Sequence, residues 1–267
     1  MHFVRTIKKY ANILFPNSPY PIQFLVIGAQ HAGCDKLAFL LRQHPTVTLP
    51  LNLNHPIFSE KGDLFQTQDF NSYHKSLNIT KKNNIVGDVS MNSLYCQPAA
   101  RRIYLYNPKI KIVVLLRNPI ERAFAHWQFN YTNKLETLSF EQALLNEKNR
   151  ANAALPYQDF MYSYLDAGFY SEQIRRYQRF FKDHHLLFIT YNNLVAQPQA
   201  TFNTICEFLT IKRFNIQAEY STDSQHSLSI ASETYQQLIK HYQYDIREVE
   251  RLIDTNVSDW LINPISN

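Results

Sequence analysis

Two short segments carry residues whose types and spacing suit the capture of an anion. The first is Gly28-Ala-Gln-His-Ala-Gly33, which follows the apolar run Gln23 to Ile27 and precedes the helically spaced Lys36 to Gln43. A strand, a tight loop and a helix in that order bring main-chain N–H groups and the positive end of a helix dipole to one point, an arrangement that holds phosphates. Two of the chain's five glycines bracket this loop, where the backbone must turn sharply and come close to whatever it binds. Gln30, His31, Ala32, Gly33, Cys34, Asp35 and Lys36 are therefore the candidate anion-binding residues. Cys34 and Asp35 follow Gly33 where a nucleoside triphosphatase places Lys and Ser/Thr, so the usual triphosphate and magnesium ligands are missing. His31 has three readings at this level: a surface side chain, a neutral hydrogen-bonding group, or a cation facing a phosphate. Lys36, one turn into the helix, is either a second cation or merely solvated.

The second segment is Arg117-Asn-Pro-Ile-Glu-Arg-Ala-Phe-Ala-His-Trp127, directly after the apolar run Ile110 to Leu116. Pro119 suits the first turn of a helix, where its missing N–H costs nothing. Arg117 then stands at the end of a strand, where a planar and permanently charged guanidinium can grip a phosphate in two places. The competing reading pairs Arg117 with a carboxylate of its own chain, Glu121 or Asp88.

These residues need a scaffold, and the pattern of apolar runs supplies one. Strands are expected at Gln23 to Ile27, Ile85 to Val89, Ile110 to Leu116 and Leu186 to Thr190. Helices are expected at Pro98 to Tyr106, Pro119 to Tyr131, Ser139 to Lys148, Ser171 to Phe181, Gln199 to Leu209 and Ser232 to Ile253. Apolar strands alternating with helices imply an α/β fold, a central parallel sheet covered on both faces. Ligands of such sheets sit beyond the carboxyl ends of the strands, which points to the loops after Ile27, Val89 and Leu116.

The chain has 267 residues, 45% hydrophobic and 18% charged, enough to bury a sizeable core, and one domain over 1–267 is expected, with residues 1–20 as an N-terminal helix and lead-in. No stretch reaches the roughly 20 apolar residues of a membrane span. Cys34, Cys96 and Cys206 are too scattered for a zinc site or a disulfide framework, so no metal is expected and a reducing cytoplasm fits. A net charge of +5 favours anionic ligands without naming one. No basic run interleaved with aromatics appears, which argues against nucleic acid. The aromatic stretch Leu155 to Tyr170 reads chiefly as core, with an acceptor cleft as the other reading.

Taken together, these segments resemble the PAPS-dependent sulfotransferase family, in particular the branch with bacterial and Golgi carbohydrate sulfotransferases. Phe24 to Gly33 is similar to the loop that cradles the 5′-phosphosulfate of 3′-phosphoadenosine 5′-phosphosulfate (PAPS), and Leu116 to Phe124 to the segment that holds its 3′-phosphate. Asp166-Ala-Gly-Phe-Tyr170, Leu186 to Pro198, Phe202 to Thr210 and the spacing of Tyr235 to Trp260 continue the likeness. It implies a three-layer α/β/α sulfotransferase fold of the P-loop nucleoside-kinase type. It also implies sulfuryl transfer from PAPS to a hydroxyl-bearing acceptor, a glycan or a small molecule, with PAP as product and no metal. Several positions depart from the family pattern. His31 stands in place of the phosphate-loop lysine, Cys34-Asp35 in place of Thr-Thr or Thr-Ser, and Ala125 in place of the serine that contacts the 3′-phosphate. The Lys-Glu pair falls near Leu53-Asn54, Gly87-Asp88-Val-Ser90 lacks its motif's lysine, and no lysine-glycine donor loop is visible between Gln217 and Leu228.

On this resemblance His31, held protonated by adjacent phosphates, replaces the lysine, with Lys36 as the runner-up cation. His55 and Asp88 are the candidates for the base that takes the acceptor proton, and His126 is read as a packing residue behind the site. The altered positions also motivate a rival, a sulfotransferase-fold protein that binds without turnover. A kinase-like phosphoryl transferase is the weaker rival, because the Gly-Lys-Ser/Thr element is absent.

Overall fold

Strands that are apolar on both faces must be covered on both faces, and a sheet built from them must sit between helices. The chain does this in a computed structural model that describes residues 22–53, 55–59, 72–75, 77, 85–217 and 229–264. Among the described residues, five strands form one parallel sheet: β1 (Phe24–Gly28), β2 (Val47–Thr48), β3 (Ile85–Ser90), β4 (Lys111–Leu116) and β5 (Leu186–Thr190). Their order across the sheet is β2-β3-β1-β4-β5, with Ile27 beside Ser90 on one side and beside Val114 on the other. Every residue of β1 is buried, as are five of the six in β4. The connecting helices are α1 (Cys34–Arg42), α2 (Ala99–Tyr106), α3 (Pro119–Thr132), α4 (Phe140–Ala154), α5 (Tyr170–Gln178), α6 (Tyr191–Ala196), α7 (Pro198–Leu209) and α8 (Ser232–Ile253).

The order places β1 at the centre with β3 and β4 on either side, so the loops after all three open at one edge of the sheet. The expected α/β/α architecture is thus present, and α8 and β5 span the residues expected of them. Two helices differ. α4 runs past Lys148 to Ala154, and α5 ends at Gln178, short of Phe181. Among the described residues, no helix is long and apolar enough to cross a membrane. The expected N-terminal helix lies outside the described residues.

The strap between α4 and α5 is tied down by a buried carboxylate. Glu136 accepts two bonds from the Arg150 guanidinium, at 2.5 and 3.0 Å, two from the N–H groups of Thr137 and Leu138, and one from the Tyr164 hydroxyl. Burial alone would raise its pKa, but Arg150 and the N–H donors outweigh it and bring the group down to about 2. A depressed carboxylate contributes stability that is full above its unfolded pKa near 4.5 and is lost as the pH falls toward 2. Acid titration of Tm should therefore fall less steeply over that window in Glu136→Gln than in the wild type, and parallel curves would remove this pair from the acid response.

Candidate donor-binding and active site

The loop after β1 is shaped by backbone that only certain residues allow. The Ala29 N–H donates to the Leu115 carbonyl at 3.0 Å, so β1 stays zipped to β4 up to the loop. A turn then closes with the Ala32 N–H on the Ala29 carbonyl, and His31 and Gly33 adopt φ of 64° and 90°. At Gly33 this conformation favours glycine, and a Cβ there would also lie 2.8 Å from the Tyr191 ring. The Leu37 N–H bonds the Gly33 carbonyl and starts α1. Helix geometry leaves the N–H groups of its first turn, Cys34 to Lys36, directed out of the helix at its start. Cys34 contributes backbone only: its thiol is buried, and burial pushes it up to about 12, so it stays protonated. Asp35 is exposed, and Gln30 and Lys36 are half-buried.

The loop after β4 meets the first loop directly. Asn118 caps α3 by accepting from the Ile120 N–H at 3.0 Å, which places Pro119 in the first turn. Arg117 donates to the His31 carbonyl at 3.3 Å and lies over the Tyr191 ring, with 4.6 Å from the guanidinium carbon to the ring centre. Its main-chain carbonyl accepts from the Tyr170 hydroxyl at 2.9 Å. Of the two carboxylates that could pair with it, Glu121 does so, at 3.2 Å, and both side chains keep solvent access. A partly exposed pair of this kind contributes little to stability. Ala125 is half-buried one turn further along α3 and has no hydroxyl to offer.

Behind the first loop, burial and then the guanidiniums of Arg122 and Arg117 push the pKa of His31 down to about 3 in the absence of a ligand. Its ring stacks on His126 at 4.7 Å and tilts against Phe129 at 5.1 Å. His126 is thus the supporting residue it was read to be. Phe129 remains 52% exposed, so an apolar surface borders the loop. Of the aromatic strap, Tyr164 and Tyr170 are buried while Leu155, Tyr157 and Met161 are exposed, so core is the right reading only for its second half.

The base candidates come together on the other side of β1. Asp88, fully buried on β3, accepts from the Tyr73 hydroxyl at 2.5 Å and from the Val89 N–H at 2.7 Å. His55 presents Nδ1 to the same carboxylate at 3.4 Å, within ion-pair range though angled off a hydrogen bond. Burial raises the Asp88 pKa, opposed by Tyr73, Val89 and His55. Asn54 and residues 218–228, where a carboxylate position and a donor loop were sought, lie outside the described residues.

Three residues at the site were not singled out from sequence: Tyr73, Tyr191 and Arg122. Tyr191 follows β5, inside the segment Leu186 to Pro198, whose likeness marked no single residue in it. Arg122 and His126 were legible in principle, because they lie one turn apart on the stripe that also buries Pro119, Ala123 and Asn130.

Fold and site define a class: a parallel α/β sheet whose carboxyl edge carries an anion-binding loop and a neighbouring arginine. The chain belongs to the sulfotransferase-domain family, whose model matches residues 21–263. Among solved structures it is similar to a sulfotransferase from Alicyclobacillus acidocaldarius, with a TM-score of 0.80 and 24% identity over 91% of this chain and 99% of that one. That likeness speaks for the fold. Among curated proteins it is 25% identical to heparan sulfate glucosamine 3-O-sulfotransferase 3B1 of Mus musculus, over 74% of this chain and 52% of the relative. It is 24% identical to bifunctional heparan sulfate N-deacetylase/N-sulfotransferase 2 of Homo sapiens, over 72% of this chain and 22% of that protein. The chain therefore spans about half the length, or less, of these curated relatives.

Proposed function

We propose that the chain binds PAPS across the two loops and transfers its sulfuryl group to a hydroxyl of an acceptor. The observation that carries this is the Arg117 bond to the His31 carbonyl, which joins the guanidinium and the amide loop into one continuous anion-binding rim. Such a rim suits a nucleotide with phosphates at both ends of its ribose. The amides of Cys34 to Lys36 and the α1 dipole face the phosphosulfate, Arg117 takes the 3′-phosphate, and Lys36 adds positive charge near the helix start.

In the transfer, the acceptor oxygen attacks sulfur in line while the sulfur–oxygen bond to the phosphate breaks, and PAP departs with that electron pair. Negative charge grows on the bridging oxygen, where fixed N–H groups and cations stabilise it without reorganising. The acceptor proton goes to Nε2 of His55, and Asp88 steadies the imidazole through Nδ1, a relation supported by the 3.4 Å contact. Neither the charge of His31 nor a metal is needed for this sequence of steps. Cys34, Cys96 and Cys206 are buried free thiols, which supports a reducing cytoplasm as the working compartment.

Incubation with radiosulfur-labelled PAPS and a panel of acceptors tests this directly. The panel holds phenols, aliphatic alcohols and heparan-type oligosaccharides. Label should pass to at least one acceptor with stoichiometric release of PAP. PAP binding with no transfer to any of them would favour the binding-only reading, which the altered lysine and serine positions motivate.

A further inference from the structure

Helix α5 holds two loops at the carboxyl edge of the sheet through contacts that the transfer steps above do not use. At its start, the Tyr170 hydroxyl donates to the Arg117 carbonyl at 2.9 Å. Further along, the Tyr177 hydroxyl donates to the Ser93 carbonyl at 2.7 Å, and Arg176 Nη2 donates to the carbonyls of Leu94 and Tyr95 at 3.2 and 3.0 Å. One helix thus grips the loop after β4 from one end and the loop after β3 from the other. Its own start is set by α8. There the Asp245 carboxylate accepts from the N–H groups of Tyr170 and Ser171, at 2.8 and 3.3 Å, and from the Ser171 hydroxyl at 2.5 Å.

The Arg117 carbonyl precedes the Asn118 cap and lies outside the α3 ladder, which begins with the Arg122 N–H on the Asn118 carbonyl. The Tyr170 hydroxyl therefore fixes a peptide that the helix itself does not hold. Tyr170 is buried and packs against Trp260, and burial raises its pKa, so the hydroxyl keeps its proton and donates. A ring enclosed in the core is a rigid point of attachment. The far end of Arg117 is held more loosely, by the His31 carbonyl at 3.3 Å, by Glu121 at 3.2 Å and by the face of Tyr191, with both charged side chains partly open to solvent. We propose that Tyr170 is a positioning residue for Arg117: its hydroxyl fixes the Arg117–Asn118 peptide, and with it the place of the guanidinium between the His31 carbonyl and the Tyr191 ring.

A guanidinium held in place before its ligand arrives loses less freedom on binding than one that must be ordered by it. Removing the Tyr170 hydroxyl should therefore weaken the grip on whatever group Arg117 meets, and leave contacts made elsewhere on the ligand unchanged. Tyr177 supplies the control. It stands on the same helix, is as deeply buried, and also donates its hydroxyl to a loop carbonyl, but to Ser93 rather than to Arg117. Loss of either hydroxyl leaves one carbonyl short of a donor, so the two variants should lose similar stability and differ in what happens to Arg117.

The consequence for the 3′-phosphate rests on the PAPS reading, but the positioning of Arg117 does not, and the test separates them. The full chain is labelled with nitrogen-15 in arginine, and the Arg117 Nε–H signal is assigned by its absence in Arg117→Lys. Without ligand, Tyr170→Phe should move that signal toward the position of freely solvated arginines, and Tyr177→Phe should leave it in place. Tyr170→Phe should also weaken PAP by about 2- to 10-fold, the range of one ordinary hydrogen bond, with AMP little changed. Tyr177→Phe should leave the ratio of PAP to AMP affinity as in the wild type. Asp245→Asn keeps the Tyr170 hydroxyl but loosens the start of α5, so it should move the Arg117 signal the same way by less, and it decides the matter if Tyr170→Phe does not fold. An Arg117 signal unmoved in Tyr170→Phe, or moved equally in Tyr177→Phe, overturns the proposal. The expected movement with an equal loss for PAP and AMP, or with no PAP binding by the wild type, would support the positioning role and overturn the assignment of Arg117 to a 3′-phosphate.

Discussion

His55→Ala should lower kcat by about 10²–10⁴-fold, the usual contribution of a positioned general base, while PAP binds as well as to the wild type. The effect is confined to turnover because His55 stands on the β3 side of the sheet, against Asp88 and the edge of the Tyr73 ring, and makes no contact with the amide loop or Arg117 among the described residues. Its side chain is partly exposed while Asp88 is almost wholly enclosed, so His55 is the member of the pair able to meet an acceptor. Asp88→Asn should cost less than His55→Ala, because the imidazole remains and only its steadying charge is gone. Single-turnover kinetics with labelled PAPS, beside PAP titrations of each variant, separate the two quantities. Unchanged turnover in His55→Ala would remove this residue from proton transfer.

Arg117→Ala should weaken PAP by about 10- to 100-fold, the loss expected when a charged bond to phosphate disappears, yet change AMP binding little. The difference between the ligands is the 3′-phosphate, which AMP lacks and which the guanidinium is proposed to grip. Arg117→Lys should recover part of the affinity, since a point charge remains without the planar fork. Calorimetric titration of the three proteins with both nucleotides gives the comparison. A parallel loss for PAP and AMP would mean that Arg117 acts through its bond to the His31 carbonyl, holding the loop rather than the 3′-phosphate.

Much of the scaffold was readable because burial on both faces leaves uninterrupted apolar runs, as in β4 (KIVVLL) and β5 (LLFIT). The long amphipathic α8 was equally plain, with its buried stripe from Tyr235 to Ile253. Helix ends were harder. Beyond Lys148, α4 continues through Asn149, Arg150 and Asn152, residues whose composition gives no periodic signal. The short α6 was missed because Asn192 and Asn193 are weak helix formers, and its start depends on the Thr190 side chain accepting the Asn193 N–H at 3.2 Å.

At the site, the amide loop and Arg117 followed from strand–loop–helix order and from residue chemistry. The partnership of His55 with Asp88 did not, since 33 positions separate them and His55 lies in a loop beyond β2 rather than on a strand paired with β3. The low pKa of His31 in the ligand-free site was not legible for a related reason. The cation that lowers it most, Arg122, reads in sequence as one more polar residue in Pro-Ile-Glu-Arg, and only the helical stripe shows it turned inward.

The claim on which the rest depends is that one nucleotide bearing phosphates on both its 3′ and 5′ sides spans the two loops. Thermal unfolding of the full chain with PAP, set against magnesium-ATP at the same concentration, tests it most directly. PAP at 100 times its Kd should stabilise the fold by about 2.7 kcal/mol, visible as a clear rise in Tm, and magnesium-ATP should give little or none. No shift with PAP, or an equal shift with both nucleotides, would contradict it.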